Sequence, residues 1–144
     1  MGFGVIYSVK ALDHAQSLIG RPFQYGQTDC TMICLEMYDI MYNGHEVEKY
    51  RGMWTDLKTG LACRKNLGMD IHSWLLGLGA ERIPVGFQRF GDFIIAITSA
   101  GMALGHVCLG QQSLSSQEEA GVGLCDTVAL LNSQDYTVFI LRIM

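Results

Sequence analysis

The chain has 144 residues, 49% hydrophobic and 17% charged, with a formal net charge of −4. That length fits one domain with its own core, and the composition is too apolar for disorder. Ten Lys and Arg residues scattered along the chain offer no basic face, which argues against nucleic acid or an anionic membrane as partner.

At the N-terminus, MGFGVIYSVK places apolar residues ahead of its first Lys, the wrong order for a signal peptide. Ile6 stands where a myristoylation signal starting at Gly2 needs Ser or Thr. No apolar run reaches the length of a membrane span, roughly 20 residues. The first helix is expected over residues 8 to 19, with Ser8 as a cap, Val9, Leu12, Ala15 and Ile19 as its apolar stripe, and Gly20 and Pro22 closing it. A turn-like segment, RPFQYGQTD, leads into a second helix from Thr28 or Asp29. Its apolar residues Cys30, Ile33, Cys34, Met37, Tyr38 and Met41 make one stripe, and Asn43-Gly44 ends it. Further helices are expected from Thr55 to Leu67, stopping at Gly68, and from an Asp70 cap to about Leu76, punctuated by Gly77 and Gly79.

After a loop containing Pro84 the period changes. Phe93–Ile97, Leu104–Leu109 and Tyr136–Ile143 are apolar on both faces and read as sheet strands covered on both sides, the first two joined by a short turn over Ser99–Met102. A weaker strand falls near Val122–Val128, and Gln111–Gly121 reads as a polar, flexible stretch. The expectation is one α+β domain over 1–144, helical over about 8–78, with a small antiparallel sheet over about 91–143.

Five cysteines at irregular positions, Cys30, Cys34, Cys63, Cys108 and Cys125, are expected to be free thiols in a reducing compartment. Cys30 is the candidate nucleophile, because the free N–H groups and dipole of a helix start favour a thiolate. A helix end contributes typically ~0.3–1 kcal/mol and at most ~2, against about 1.36 kcal/mol per pKa unit, so it moves a thiol by about one unit and a strong nucleophile needs an imidazole too. The competing reading makes Cys30 ordinary core, the first residue of its helix's own stripe. His106, inside the strand ALGHVCLG, is the best partner for the thiol; His14, His45 and His72 are weaker candidates. Zinc held by Cys30, Cys34, His106 and Cys108 is not expected, since no closely spaced ligand pair sits on a turn. No phosphate-cradling glycine loop is present, and no cofactor is expected.

The stretch LIGRPFQYGQTDCTMICLEM, followed later by RFGDFIIAI and ALGHVCLG, resembles the NlpC-type cysteine peptidases, a papain-like superfamily. The likeness runs over about residues 12–143 and is closest to a branch found largely in phages and prophages. It implies a papain-like NlpC-type fold with Cys30 as nucleophile and a catalytic His on the second strand of the sheet. Aligned on Gly110, that position is Leu104, two residues before His106 and on the same sheet face. The motif also implies Tyr25 and Asp29 as substrate-binding residues, while no residue matches the imidazole-orienting position; Gln112, Ser113 and Asp126 are candidates by type only. The function implied is a phage tail-associated protein, made in the bacterial host cytoplasm and carried in the virion tail. Its partners would be other tail proteins and peptidoglycan, with amide hydrolysis of peptidoglycan peptides as the activity. The alternative is a tail component that keeps the fold without the activity.

Overall fold

The computed structural model describes residues 5–67 and 70–144, with side chains described from residue 8 onward except at 64–67. Helix α1 spans Val5–Leu18, so Ser8 lies inside the helix and does not cap it. Its buried stripe is Ala11, Ala15 and Leu18, whereas Val9, Leu12 and Ile19 are exposed. Two alanines on that stripe let α1 lie close against its neighbour, while Val9 and Leu12 face outward.

Helix α2, Cys30–Tyr42, is the central element. The Asp29 carboxylate accepts a hydrogen bond from the Met32 N–H, and Asn43 closes the other end in the left-handed conformation. Met32, Ile33, Cys34, Leu35, Met37 and Met41 are all buried, more of the circumference than one stripe, because α1 covers one side of α2 and the sheet another. A short α3, Val47–Tyr50, was not expected from the periodicity. Helix α4, Leu57–Leu67, begins two residues later than expected, and its proposed Gly68 stop lies outside the described residues. Asp70 caps α5, Ile71–Gly77, through the Ser73 N–H.

The sheet has six antiparallel strands: β1 Ala80–Ile83, β2 Phe93–Thr98, β3 Ala103–Cys108, β4 Gln112–Gln117, β5 Gly121–Asp126 and β6 Tyr136–Ile143, in the order β1-β6-β2-β3-β4-β5. The sheet therefore starts with a short edge strand ahead of Pro84. The stretch read as flexible is strand β4, and the expected strand around 122–128 ends at Asp126, where a short helix α6, Thr127–Leu131, begins. One face packs Phe93, Ile95, Val107, Leu114, Val122 and Leu141 against the buried faces of α1, α2 and α5. On the other face Ile94, Ala96, Cys108 and Ile140 pack with Leu130 of α6. Strands β2 and β3 pair along Phe93↔Val107 to Ile97↔Ala103, while β3 and β4 pair only at Val107↔Leu114 and Cys108↔Ser113. Beyond those two pairs the ladder opens, and that opening positions the site.

Candidate functional site

Cys30 is the first residue of α2 and half-buried, and that helix end abuts β3. Close approach is possible because β3 has Gly105 beneath the helix: a Cβ there would lie 2.4 Å from Ile71 Cδ1 and 2.8 Å from Cys34 Sγ. The backbone groups of Gly105 fall in the opening of the ladder, where its N–H donates to Cys30 Sγ (3.4 Å) and its carbonyl accepts from the Ser115 hydroxyl (2.7 Å). The thiol thus sits between a helix N-terminus and a strand amide, a place where negative charge on sulfur is favoured.

Asp29, expected to touch substrate, is 5% exposed and holds the protein's own structure. Besides capping Met32 N–H (2.9 Å), its carboxylate accepts from Gly26 N–H (2.6 Å) and from the Trp54 indole N–H (2.7 Å). Gly26 is required at φ +75, since a Cβ would sit 2.1 Å from the Trp54 carbonyl oxygen. The loop before α2 and the segment before α4 are in this way tied to one carboxylate, which fixes where the thiol stands. Tyr25 reaches the opposite wall, donating its hydroxyl to Glu118 Oε2 (3.2 Å). Burial, with the Glu118 carboxylate nearby, pushes the Tyr25 phenol up from its ordinary value.

Tyr25, Asp29, Cys30 and His106 all line one cleft of about 530 Å³. Its walls include Phe23, Trp54, Ala103, Ser115, Ser116, Glu118, Asp126 and Tyr136, drawn from both sides of the sheet through the gap between β3 and β4.

The pleat separates the two expected catalytic residues. Ala103 and Val107 pack on the α2 side, as does the vacant side-chain position of Gly105, while Leu104 and Cys108 pack on the α6 side. His106 has the parity of Leu104 and Cys108, so its side chain leaves the strand on the face opposite α2. Its Nδ1 is 3.3 Å from the Ile94 carbonyl, an acceptor, so this nitrogen carries the proton. Burial lowers the His106 pKa below its ordinary value, against hydrogen bonds to the Ile94 and Leu104 carbonyls, which raise it. The position on β3 that faces the α2 side at the cleft is Ala103, which offers no base. The sequence signal for this was Gly105: the residue without a side chain marks the face a helix can approach, so both Leu104 and His106 lie on the wrong one.

The other candidates are scattered. His72 stacks on Phe139 (ring centroids 5.7 Å apart), and His14 lies 3.9 Å from Glu36. Ser113 shares a 2.7 Å hydrogen bond with Thr127, and Asp126 caps α6 through the Ala129 N–H. Cys34 faces the helix side of the sheet and is held well above the ordinary thiol range, chiefly by burial, while Cys108 faces the other side. The sulfurs and imidazole once weighed as zinc ligands are thus divided between two faces. Among the described residues no three His, Cys, Asp or Glu side chains gather to hold a metal ion, and no helix is long and apolar enough to cross a membrane.

These features define an α+β protein with a helix-borne thiol at the mouth of a cleft through its sheet. Residues 8–133 match the domain family DUF6950, described as a domain of unknown function, and the chain belongs to that family. No curated protein matches it.

Proposed function

We propose that this protein is a phage tail-associated component with an NlpC-type, papain-like fold, in which the cleft binds a peptide segment without Cys–His hydrolysis. The tail association and the NlpC-type fold rest on the motif resemblance over Tyr25–Cys34 and Gly91–Gly110. The observation that carries the loss of hydrolysis is on β3: Ala103 occupies the site facing the thiol's side, and the His106 ring leaves the strand on the other. General-base assistance is worth typically about 10²–10⁴ in rate, and hydrolysis of an amide by an unassisted thiol forgoes it.

A second reading, in which Cys30 attacks a peptidoglycan amide with His106 as base, draws on one observation: both residues line the same cleft. The two readings part in one assay. Purified protein and a Cys30→Ala variant are incubated with peptidoglycan, and soluble muropeptides are measured. Equal release by both at the level of buffer is the expected result; release that depends on Cys30 overturns the inactive reading. Detection of the chain in purified virions tests the tail assignment, and its absence from them counts against that assignment.

The same geometry predicts a gain. Ala103→His places an imidazole on the face of β3 that meets the Cys30 helix, at a residue lining the cleft. A thiol paired with imidazole ionises about 1–5 units below the ordinary value of roughly 8.5. Because a more acidic thiolate is also a weaker nucleophile, alkylation of Cys30 near neutral pH, followed by peptide mass spectrometry, should quicken about two- to fivefold in the variant. An unchanged rate would show that Ala103 does not face the thiol.

A further inference from the structure

Strand β4 contributes three buried serines, and two of their hydroxyls are engaged. Ser113 bonds Thr127 and Ser115 donates to the Gly105 carbonyl, each at 2.7 Å. Ser116 is 5% exposed, and its hydroxyl oxygen is buried without a partner. Buried polar groups are very largely hydrogen-bonded in folded proteins, so this orphan, one of two among the described residues together with His14 Nε2, calls for a physical reason. Ser116 lines the same cleft as Cys30. It lies on the α2 side of the sheet, sharing the parity of Leu114 and opposite Val122, both packed on that side.

We propose that Ser116 is a ligand-binding residue whose hydroxyl donates to an amide carbonyl oxygen of a neutral, peptide-like ligand held beside Cys30. The donors on this wall point to an acceptor. In the first turn of α2 the Met32 N–H goes to the Asp29 carboxylate and that of Ile33 to the Asp29 carbonyl, which leaves the Thr31 N–H without an intrahelical partner at the cleft. The Gly105 N–H is directed at the sulfur. The charges point away from an anion: Asp29, Glu118 and Asp126 line the cleft, and among the described residues no Lys or Arg does. A carbonyl oxygen accepts hydrogen bonds without carrying a full negative charge, which suits both conditions. A serine hydroxyl turns about χ1 between staggered positions, and a turn of that kind toward the cavity is what the proposal requires of Ser116. The subsite serves a bound peptide whether or not the thiol attacks it, so it stands apart from the question of hydrolysis.

The test compares two reagents on Cys30 in the native protein and in Ser116→Ala. Iodoacetamide carries an amide carbonyl beside its reacting carbon; methyl methanethiosulfonate carries none. Labelling of Cys30 by each is followed by peptide mass spectrometry, and the ratio of the two rates cancels changes in thiol ionisation and exposure. Ser116→Ala should lower the iodoacetamide-to-thiosulfonate ratio about two- to tenfold, the effect of one neutral hydrogen bond, and Ser116→Thr, which keeps the hydroxyl, should hold it. A ratio unchanged in Ser116→Ala makes the hydroxyl a packing defect and overturns the proposal. A measurement on the native chain alone stands beside it: N-acetylglycinamide, a neutral diamide that cannot alkylate, should slow thiosulfonate labelling of Cys30. Absence of any slowing up to its solubility limit would overturn the proposal as well.

Discussion

Asp29→Ala should cost about 3–5 kcal/mol of folding stability, among the largest effects available to a single substitution in this chain. An N-cap aspartate contributes typically ~1 kcal/mol, and each buried donor stripped of its acceptor adds about 1–3 kcal/mol. Here one carboxylate caps α2 and also satisfies the buried Gly26 N–H and the Trp54 indole N–H. Asp29→Asn, which keeps one carbonyl oxygen but presents an amine where the other stood, should fall between the native protein and Asp29→Ala. Urea denaturation gives the comparison directly. A loss below about 1 kcal/mol for Asp29→Ala would mean that only the cap matters and the other two donors find water. The result bears on function, because the same three bonds hold Tyr25, Cys30 and Trp54 in one cleft wall.

Asp92→Ala should also be damaging, through a different mechanism. Asp92 is 1% exposed where the chain enters β2; its carboxylate oxygens lie 2.8 Å from Arg142 Nε and 2.9 Å from Arg142 Nη2, and it also accepts from the Arg89 N–H. Arg142 donates further to the Phe87 carbonyl, so the pair pins the β1–β2 connection to β6. Removing one partner of a fully buried ion pair costs roughly 3–5 kcal/mol; the Arg142 side chain is 16% exposed, so the loss here should fall at or below the lower end, while replacing both partners by apolar groups is often nearly neutral. The double variant Asp92→Ala with Arg142→Met should accordingly recover much of the loss, since Met leaves no charge to be desolvated. If the two single losses simply add in the double variant, the pair is not coupled and the account fails. On this reading the Gly91-Asp92 element of the motif secures the sheet and does not touch the site.

Some missed elements had local signals and some had none. Helix α6 was legible: Asp126 followed by Thr-Val-Ala-Leu-Leu is a capped apolar turn, and its Asp accepts from Ala129 as a cap does. Strand β4 was not. QSLSSQ reads as a solvated loop, because the serines that make it polar are buried and, for two of them, satisfied only by partners on β3 and α6. Helix α1 was placed, but on the wrong face, since its packing surface is the narrow alanine side and apolarity alone favoured Val9 and Leu12.

By itself the sequence determined the α+β division, the start of α2 at an Asp-Cys cap, and the core strands β2, β3 and β6. Caps, periods of 3.6 and 2, and turn residues are local, and they act over a few neighbours. Only the tertiary structure decided which face of β3 meets α2, and with it that His106 faces away from the α2 side while Ala103 faces it. Alternation along a strand sorts residues into two sets but assigns neither set to a neighbour; in the folded chain the set that includes Gly105 meets the helices, where a Cβ would collide with Ile71 and Cys34.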